Sequence, residues 1–239
     1  MKKRISGLAL LASMILALAP LRTAGEDSNK ILKQQQRYTV SLELEFSKRN
    51  PSAMQRLLTF LDWGPNGYAT GFLVGDGLVM TAYHVVSGEL DYYKKMALGF
   101  APGDLLDVRV FANGCQARVL RVDKAADLAL LETCGSKRNK VPAFQSMISK
   151  DEKVLLIARP HGDNIVRQGV LYGSTTFNGL EYWSVKMNAR DGFSGSPVYN
   201  QKAELVGVMS GYDRTNKLAL LSPGPKVQKL IEDYVSTQK

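Results

Sequence analysis

The chain has 239 residues, with 31 Lys and Arg against 22 Asp and Glu, 45% hydrophobic residues, two cysteines and two histidines. That length holds one large domain or two small ones around a sizeable core, and the hydrophobic fraction excludes a wholly disordered chain. So few cysteines and histidines exclude a disulfide-dense miniature scaffold and a four-cysteine zinc site, and no metal site is expected.

The first 25 residues have a distinct character. Lys2, Lys3 and Arg4 precede an uncharged apolar run from Ile5 to Ala19, shorter than the roughly 20 residues a membrane-spanning helix needs. Thr23, Ala24 and Gly25 then supply small residues, so residues 1–25 have the layout of a secretory signal peptide cleaved after Ala24 or Gly25. This segment carries four basic and no acidic side chains, so its removal lowers the formal net charge from +9 to +5. The remaining excess lies in pairs such as Lys94-Lys95 and Lys137-Arg138, without the clustered stripe of a nucleic-acid-binding surface. An exported chain, periplasmic or secreted, is expected, with no nucleic-acid partner and no stable membrane insertion after cleavage.

Tyr38 to Phe46 alternates apolar and polar residues with period two, which predicts a half-buried strand. Residues 26–60 otherwise carry no motif; they could be a removable propeptide or supply a first strand, and Ala53 to Leu61 could be a short helix or irregular. Beyond Gly67, short β-rich runs recur between Gly, Asp and Asn: Gly71–Val74, Leu78–Thr81, Val108–Phe111, Ala117–Val122, Leu128–Leu131, Val154–Ile157, Val166–Leu171, Tyr182–Val185 and Leu205–Ser210. That rhythm predicts an all-β sandwich or barrel. Lys226 to Val235 predicts a helix with Val227, Leu230, Ile231 and Tyr234 on one face. A polar seam at residues 135–142 could join two β-units. Simple antiparallel counting across the turn near Lys124–Ala126 sets Cys115 opposite Cys134, within reach of a disulfide in an oxidising compartment.

Three segments carry the chemistry. His84 follows the strand end Thr81-Ala82, Asp127 opens the apolar run Leu128–Leu131, and Ser194 lies in a tight turn between Gly192 and Gly195. A serine hydroxyl is a weak nucleophile that needs a base in hydrogen-bond reach and a third group to orient that base. Backbone amides around the glycines could bind an oxyanion. Each segment alone is a weak signal; their order and combination are not.

Thr81-Ala82-Tyr83-His84, Asp127 to Leu131 and Gly192-Phe193-Ser194-Gly195-Ser196-Pro197 together resemble the trypsin-like, chymotrypsin-fold serine peptidases, in particular the bacterial branch of glutamyl endopeptidases and HtrA-type protease domains. The resemblance covers about residues 66–222. It implies two six-stranded antiparallel β-barrels, about 61–138 and 139–222 within a peptidase domain of residues 61–239, followed by a C-terminal helix at 224–236. It also implies a cleft in which Ser194 is the nucleophile, His84 the general base and Asp127 its orienting acid, with the amides of Gly192 and Ser194 as oxyanion hole. No cofactor is implied, and polypeptides are the expected substrates.

The chain departs from the family in places. Phe193 replaces the acid of animal members, and no Ile-Val-Gly-Gly-like start is present, so activation by a freed N-terminus is not expected. Ser196 also carries a hydroxyl, but Ser194 holds the family register. Asn188, Ala189, Ser210 and Tyr212 fall where the family builds its primary specificity pocket, without the carboxylate that would favour Arg or Lys. His161, in a Pro/Gly loop, reads as a surface residue. The chain ends soon after the terminal helix, so no PDZ-type domain is expected. The competing readings are a catalytically silent fold used as a protein-binding module, and an esterase with the same chemistry.

Overall fold

The computed structural model describes residues 24–51, 66–134 and 141–238. The expected signal segment up to Thr23, the stretch Ala53 to Leu61 and most of the polar seam lie outside these residues. A helix α1 (Ala24–Gln35) and a 3₁₀ turn (Gln36–Tyr38) lead into the first β-unit. It comprises β1 (Thr39–Lys48), β2 (Gly67–Leu73), β3 (Leu78–Ala82), β4 (Leu106–Ala112), β5 (Cys115–Gln116), β6 (Arg118–Asp123) and β7 (Leu128–Glu132). Two short helices interrupt it: α2 (Tyr83–Val86), and α3 (Tyr92–Ala97), whose start is capped by the Asp91 carboxylate accepting from Lys94 N at 2.8 Å. The second unit contains β8 (Lys153–Ala158), β9 (Ile165–Phe177), β10 (Leu180–Lys186), β11 (Pro197–Asn200), β12 (Leu205–Asp213) and β13 (Leu218–Pro223), and α4 (Gly224–Ser236) follows.

The second unit is a closed six-stranded barrel in the order β10-β13-β12-β11-β8-β9. The first is a seven-stranded sheet in the order β5-β4-β1-β2-β3-β7-β6, where a closed six-stranded barrel was expected. The reason lies in one bent strand. Cys115 and Gln116 pair with Ala112 and Phe111 of β4, Ala117 N donates to Val110 O at 2.7 Å, and Arg118 then pairs with Glu132 of β7. The chain changes partner at Ala117, so the ring is closed by the continuity of the strand rather than by a lateral ladder. The same switch corrects the route to the disulfide. Cys115 and Cys134 are bridged, with Cα atoms 6.1 Å apart, but Cys115 stands opposite Ala112 in the β4–β5 hairpin and not in the β6–β7 ladder.

The strand at Tyr38–Phe46 forms as β1, and it lies between β2 and β4 inside the first sheet. The first unit thus begins well before residue 61. Two strands with weak sequence signals, β11 and β13, complete the second barrel.

Three apolar clusters explain the sequence pattern. One fills the first unit (Leu42, Val79, Ala129 and Leu131 among them) and one fills the second (Val154, Leu156, Val185, Val198). The third lies between them and joins Phe72, Met80, Leu128 and Leu130 to Leu155, Ile157, Leu205 and Val208. Strands β7 and β8 read as unbroken apolar runs because both of their faces are buried, one inside a unit and one in the shared layer. Helix α4 seals this layer with Val227, Leu230 and Ile231, spaced at i, i+3 and i+4. Ile31 of α1 enters the same layer and is 4% exposed, so the N-terminal helix precedes the first unit in sequence yet packs against the second as well.

Truncating Ile31→Ala should therefore destabilise the fold by about 2–5 kcal/mol, measured by urea unfolding. Tyr199, fully buried, has its phenol pushed above the ordinary 10.0 by burial, and Tyr182 is raised by burial and then by the nearby Asp127 charge. Above pH 10 the unfolded chain releases phenol protons that the folded chain keeps, so stability falls as pH rises, by up to about 1.4 kcal/mol per pH unit for each such group. Urea midpoints at pH 8 to 11 should decline, and Tyr199→Phe should make the decline shallower.

Candidate active site

His84 owes its position to a change of backbone at the end of β3. Ala82 is extended, with φ −79° and ψ 146°, and the chain turns helical at Tyr83. Asp127 lies in the β6–β7 turn, where the Asp123 carboxylate accepts from Ala126 N at 2.9 Å. Its φ is +52°, a left-handed conformation that Asp tolerates better than most residues. From there Asp127 clamps the start of α2. Its carbonyl accepts from Tyr83 N at 3.1 Å, Oδ1 accepts from His84 N at 2.9 Å, and Oδ2 lies 2.9 Å from His84 Nδ1. A carboxylate can only accept, so Nδ1 carries the imidazole proton and Nε2 is left as acceptor. Nε2 lies 2.8 Å from Ser194 Oγ. The imidazole side chain is 34% exposed and the Asp127 side chain 11%, so the imidazole is open to solvent while its partner is nearly covered.

A residue that sequence reasoning missed supports the acid turn. Ser222 Oγ, on β13, forms a short hydrogen bond to Ala126 O, and Ser210 Oγ lies 2.8 Å from Ser222 Oγ. Ser222 belongs to no motif, and only its fully buried hydroxyl in an apolar strand marks it.

Ser194 sits in a turn closed by Phe193 N donating to Arg190 O at 3.2 Å, with Gly192 at φ +86° and Gly195 at φ +80°. Both glycines are required by space as well. A Cβ on Gly192 would lie 2.5 Å from Pro160 Cβ, and one on Gly195 would lie 2.1 Å from Thr70 O and from Thr81 Oγ1. Gly195 N donates to Met209 O at 2.7 Å, and Ser196 N to Phe193 O at 3.0 Å. Among the described residues, neither the Gly192 nor the Ser194 amide donates to another backbone group. Phe193 is wholly buried in the second barrel, under the guanidinium groups of Arg190 (5.6 Å) and Arg167 (5.9 Å). Burial of this ring anchors the turn where animal members use an acid. Ser196 is fully buried, away from the imidazole's partner position.

The four expected pocket residues fare differently. Asn188 is exposed, while Ala189 and Tyr212 pack on the rim of the second barrel's core. Ser210 is buried, with its hydroxyl committed to Ser222. His161 is exposed, its ring 4.2 Å from that of Tyr68. Among the described residues no group of three or more His, Cys, Asp or Glu side chains could hold a metal ion.

Comparison with known proteins bears on the fold and the family. Residues 69–208 match the trypsin-like peptidase domain. A probable periplasmic DegP-like serine endoprotease of Pseudomonas putida is 30% identical over 149 residues, which is 59% of this chain and 28% of that relative. Among solved structures, the Rv3671c protease of M. tuberculosis in its active form superposes with a TM-score of 0.62 at 14% identity, covering 95% of this chain and 93% of that one. Its inactive form gives 0.60 at 15% identity, covering 90% and 99%. The domain match extends over more than half of the chain and contains His84, Asp127 and Ser194; the chain belongs to the trypsin-like family of serine peptidases.

Proposed function

We propose that this chain is an exported serine endopeptidase in which Ser194, His84 and Asp127 form the catalytic triad. The observation that carries the reading is the unbroken relay from the Asp127 carboxylate through the imidazole to Ser194 Oγ, with contacts of 2.9 and 2.8 Å. In the reaction, Nε2 takes the hydroxyl proton as Oγ attacks the scissile carbonyl, and Asp127 stabilises the imidazolium that results. The amides of Gly192 and Ser194 bind the oxyanion of the tetrahedral intermediate. Nε2 then protonates the leaving amine, and a water activated by the same imidazole hydrolyses the acyl-enzyme. No cofactor takes part.

The sheet edge supports a polypeptide substrate. Strand β12 pairs with β11 only up to Val208, while its pairing with β13 continues to Asp213. Beyond Met209, which bonds to the nucleophile turn, the edge from Ser210 to Tyr212 can take an extended peptide as an added strand. Asn188 at the pocket position does not favour basic side chains.

Export is supported by the charged-then-apolar character of residues 1–25, by the Cys115–Cys134 bridge and by the periplasmic relative. Cleavage after Ala24 or Gly25 falls at the start of α1 and leaves Ile31 and β1 in place. In this reading α1 and β1 remain part of the peptidase.

Labelling of the purified chain with a fluorophosphonate probe should be lost in Ser194→Ala and kept in Ser196→Ala; an unlabelled parent would reduce the fold to a silent binding module. Gly192→Ala should lower kcat/KM on a peptide ester by roughly 10²-fold or more, because the added methyl displaces the turn that carries an oxyanion donor.

A further inference from the structure

Thr70, in β2 of the first unit, is fully buried, and each of its polar atoms is engaged. Its amide donates to Ser194 O at 2.9 Å. Its hydroxyl donates to Gly192 O at 2.9 Å and accepts from Arg159 N at 2.9 Å. Its carbonyl accepts from Thr81 Oγ1 at 2.9 Å. The arrangement is possible because β3 pairs with β2 only at Phe72 and Leu73. The edge of β2 before Phe72 is thereby released to the second unit.

The peptide planes of the nucleophile turn show what these bonds do. The Gly192–Phe193 plane is held at its oxygen by the Thr70 hydroxyl and at its nitrogen by Arg190 O, 3.2 Å away. The Ser194–Gly195 plane is held at its oxygen by the Thr70 amide and at its nitrogen by Met209 O, 2.7 Å away. The plane between them, Phe193–Ser194, accepts from Ser196 N at 3.0 Å. Turning any of these planes would break a bond in a protected site and leave its partner unpaired. One residue of the opposite unit therefore restrains the planes on either side of the Ser194 amide.

Resting on the peptidase reading above, we infer that Thr70 is a positioning residue for the transition state. From the first unit it fixes the peptide planes of the nucleophile turn, so that the Gly192 and Ser194 amides converge where the oxyanion develops. Its hydroxyl acts through Gly192 and Arg159 and touches no reacting atom. Because the hydroxyl is the only part of this clasp that substitution can remove while the backbone bonds stay, it is also the part that can be tested.

Thr70→Val keeps the shape of the side chain and loses both hydroxyl bonds. Its kcat, normalised to active sites titrated with an acylating burst substrate, should fall about 10- to 100-fold while KM changes by less than about threefold, as expected when donors are misaimed rather than substrate binding lost. Thr70→Ser should recover kcat to within about threefold of the parent, since it restores the donor and the acceptor. A merely structural hydroxyl would lower the titrated fraction and the melting temperature but leave kcat per active site unchanged. That outcome, or a Thr70→Ser variant no better than Thr70→Val, overturns the inference. If Thr70→Val does not fold, Thr70→Ala, which leaves room for a water, must show the same loss per titrated site, and normal kcat in it overturns the inference too. A parent chain with neither fluorophosphonate labelling nor turnover overturns the peptidase reading instead, a result distinct from an active parent with an equally active valine variant.

Discussion

The 2.8 Å contact between His84 Nε2 and Ser194 Oγ joins side chains from two separate β-units, so no local turn or helix can hold it. It depends on the apolar layer the units share. Leu128 directly follows Asp127 and, with Leu130, anchors this strand in that layer, which Leu155, Ile157 and Val208 of the second barrel share. Interiors packed to crystal-like density transmit small displacements rather than absorb them. The narrow distance range of a hydrogen bond therefore ties this contact to the packing of the layer beneath it.

On that base the polar supports are reciprocal. Ser222, from the second unit, bonds to Ala126 O beside the acid of the first. Thr70, from the first unit, bonds to the backbone around the serine of the second. Each unit thus braces the loop that the other contributes to the cleft. Within the first unit, the Asp127 carbonyl accepts from Tyr83 N, and its carboxylate accepts from His84 N and meets the imidazole, so one residue orients both the start of α2 and the His84 ring. The turn around Ser194 gains its rigidity from the buried Phe193 ring and two left-handed glycines, a solution built from burial instead of a buried ion pair.

The parts of this design that were legible in the sequence are those in which chemistry or periodicity restricts the residue type. His84, Asp127 and Ser194 stood out because three motifs occur together in one order, and β7 and β8 stood out as short β-rich runs. The terminal helix was plain from Val227, Leu230 and Ile231. Long-range geometry was less visible. The cysteine pair was foreseen on the wrong ladder, because the change of partner at Ala117 leaves no mark in residue type. Thr70 lies 122 residues from the carbonyl its hydroxyl binds, and a threonine within Tyr68-Ala-Thr-Gly71 looks like any other strand residue. Ser210 illustrates the same limit: nothing in the residue type shows that its hydroxyl is buried against Ser222.

The place of Ile31 bears on how the molecule is made. It shares one apolar layer with Val227, Leu230 and Ile231, far along the chain from it. A polypeptide emerging N-terminus first cannot complete this layer until α4 has been synthesised. Until then the first unit lacks part of the layer that covers Phe72, Met80 and Leu130. Contacts of such high sequence separation form slowly, so this layer closes after the local strand pairings of each unit.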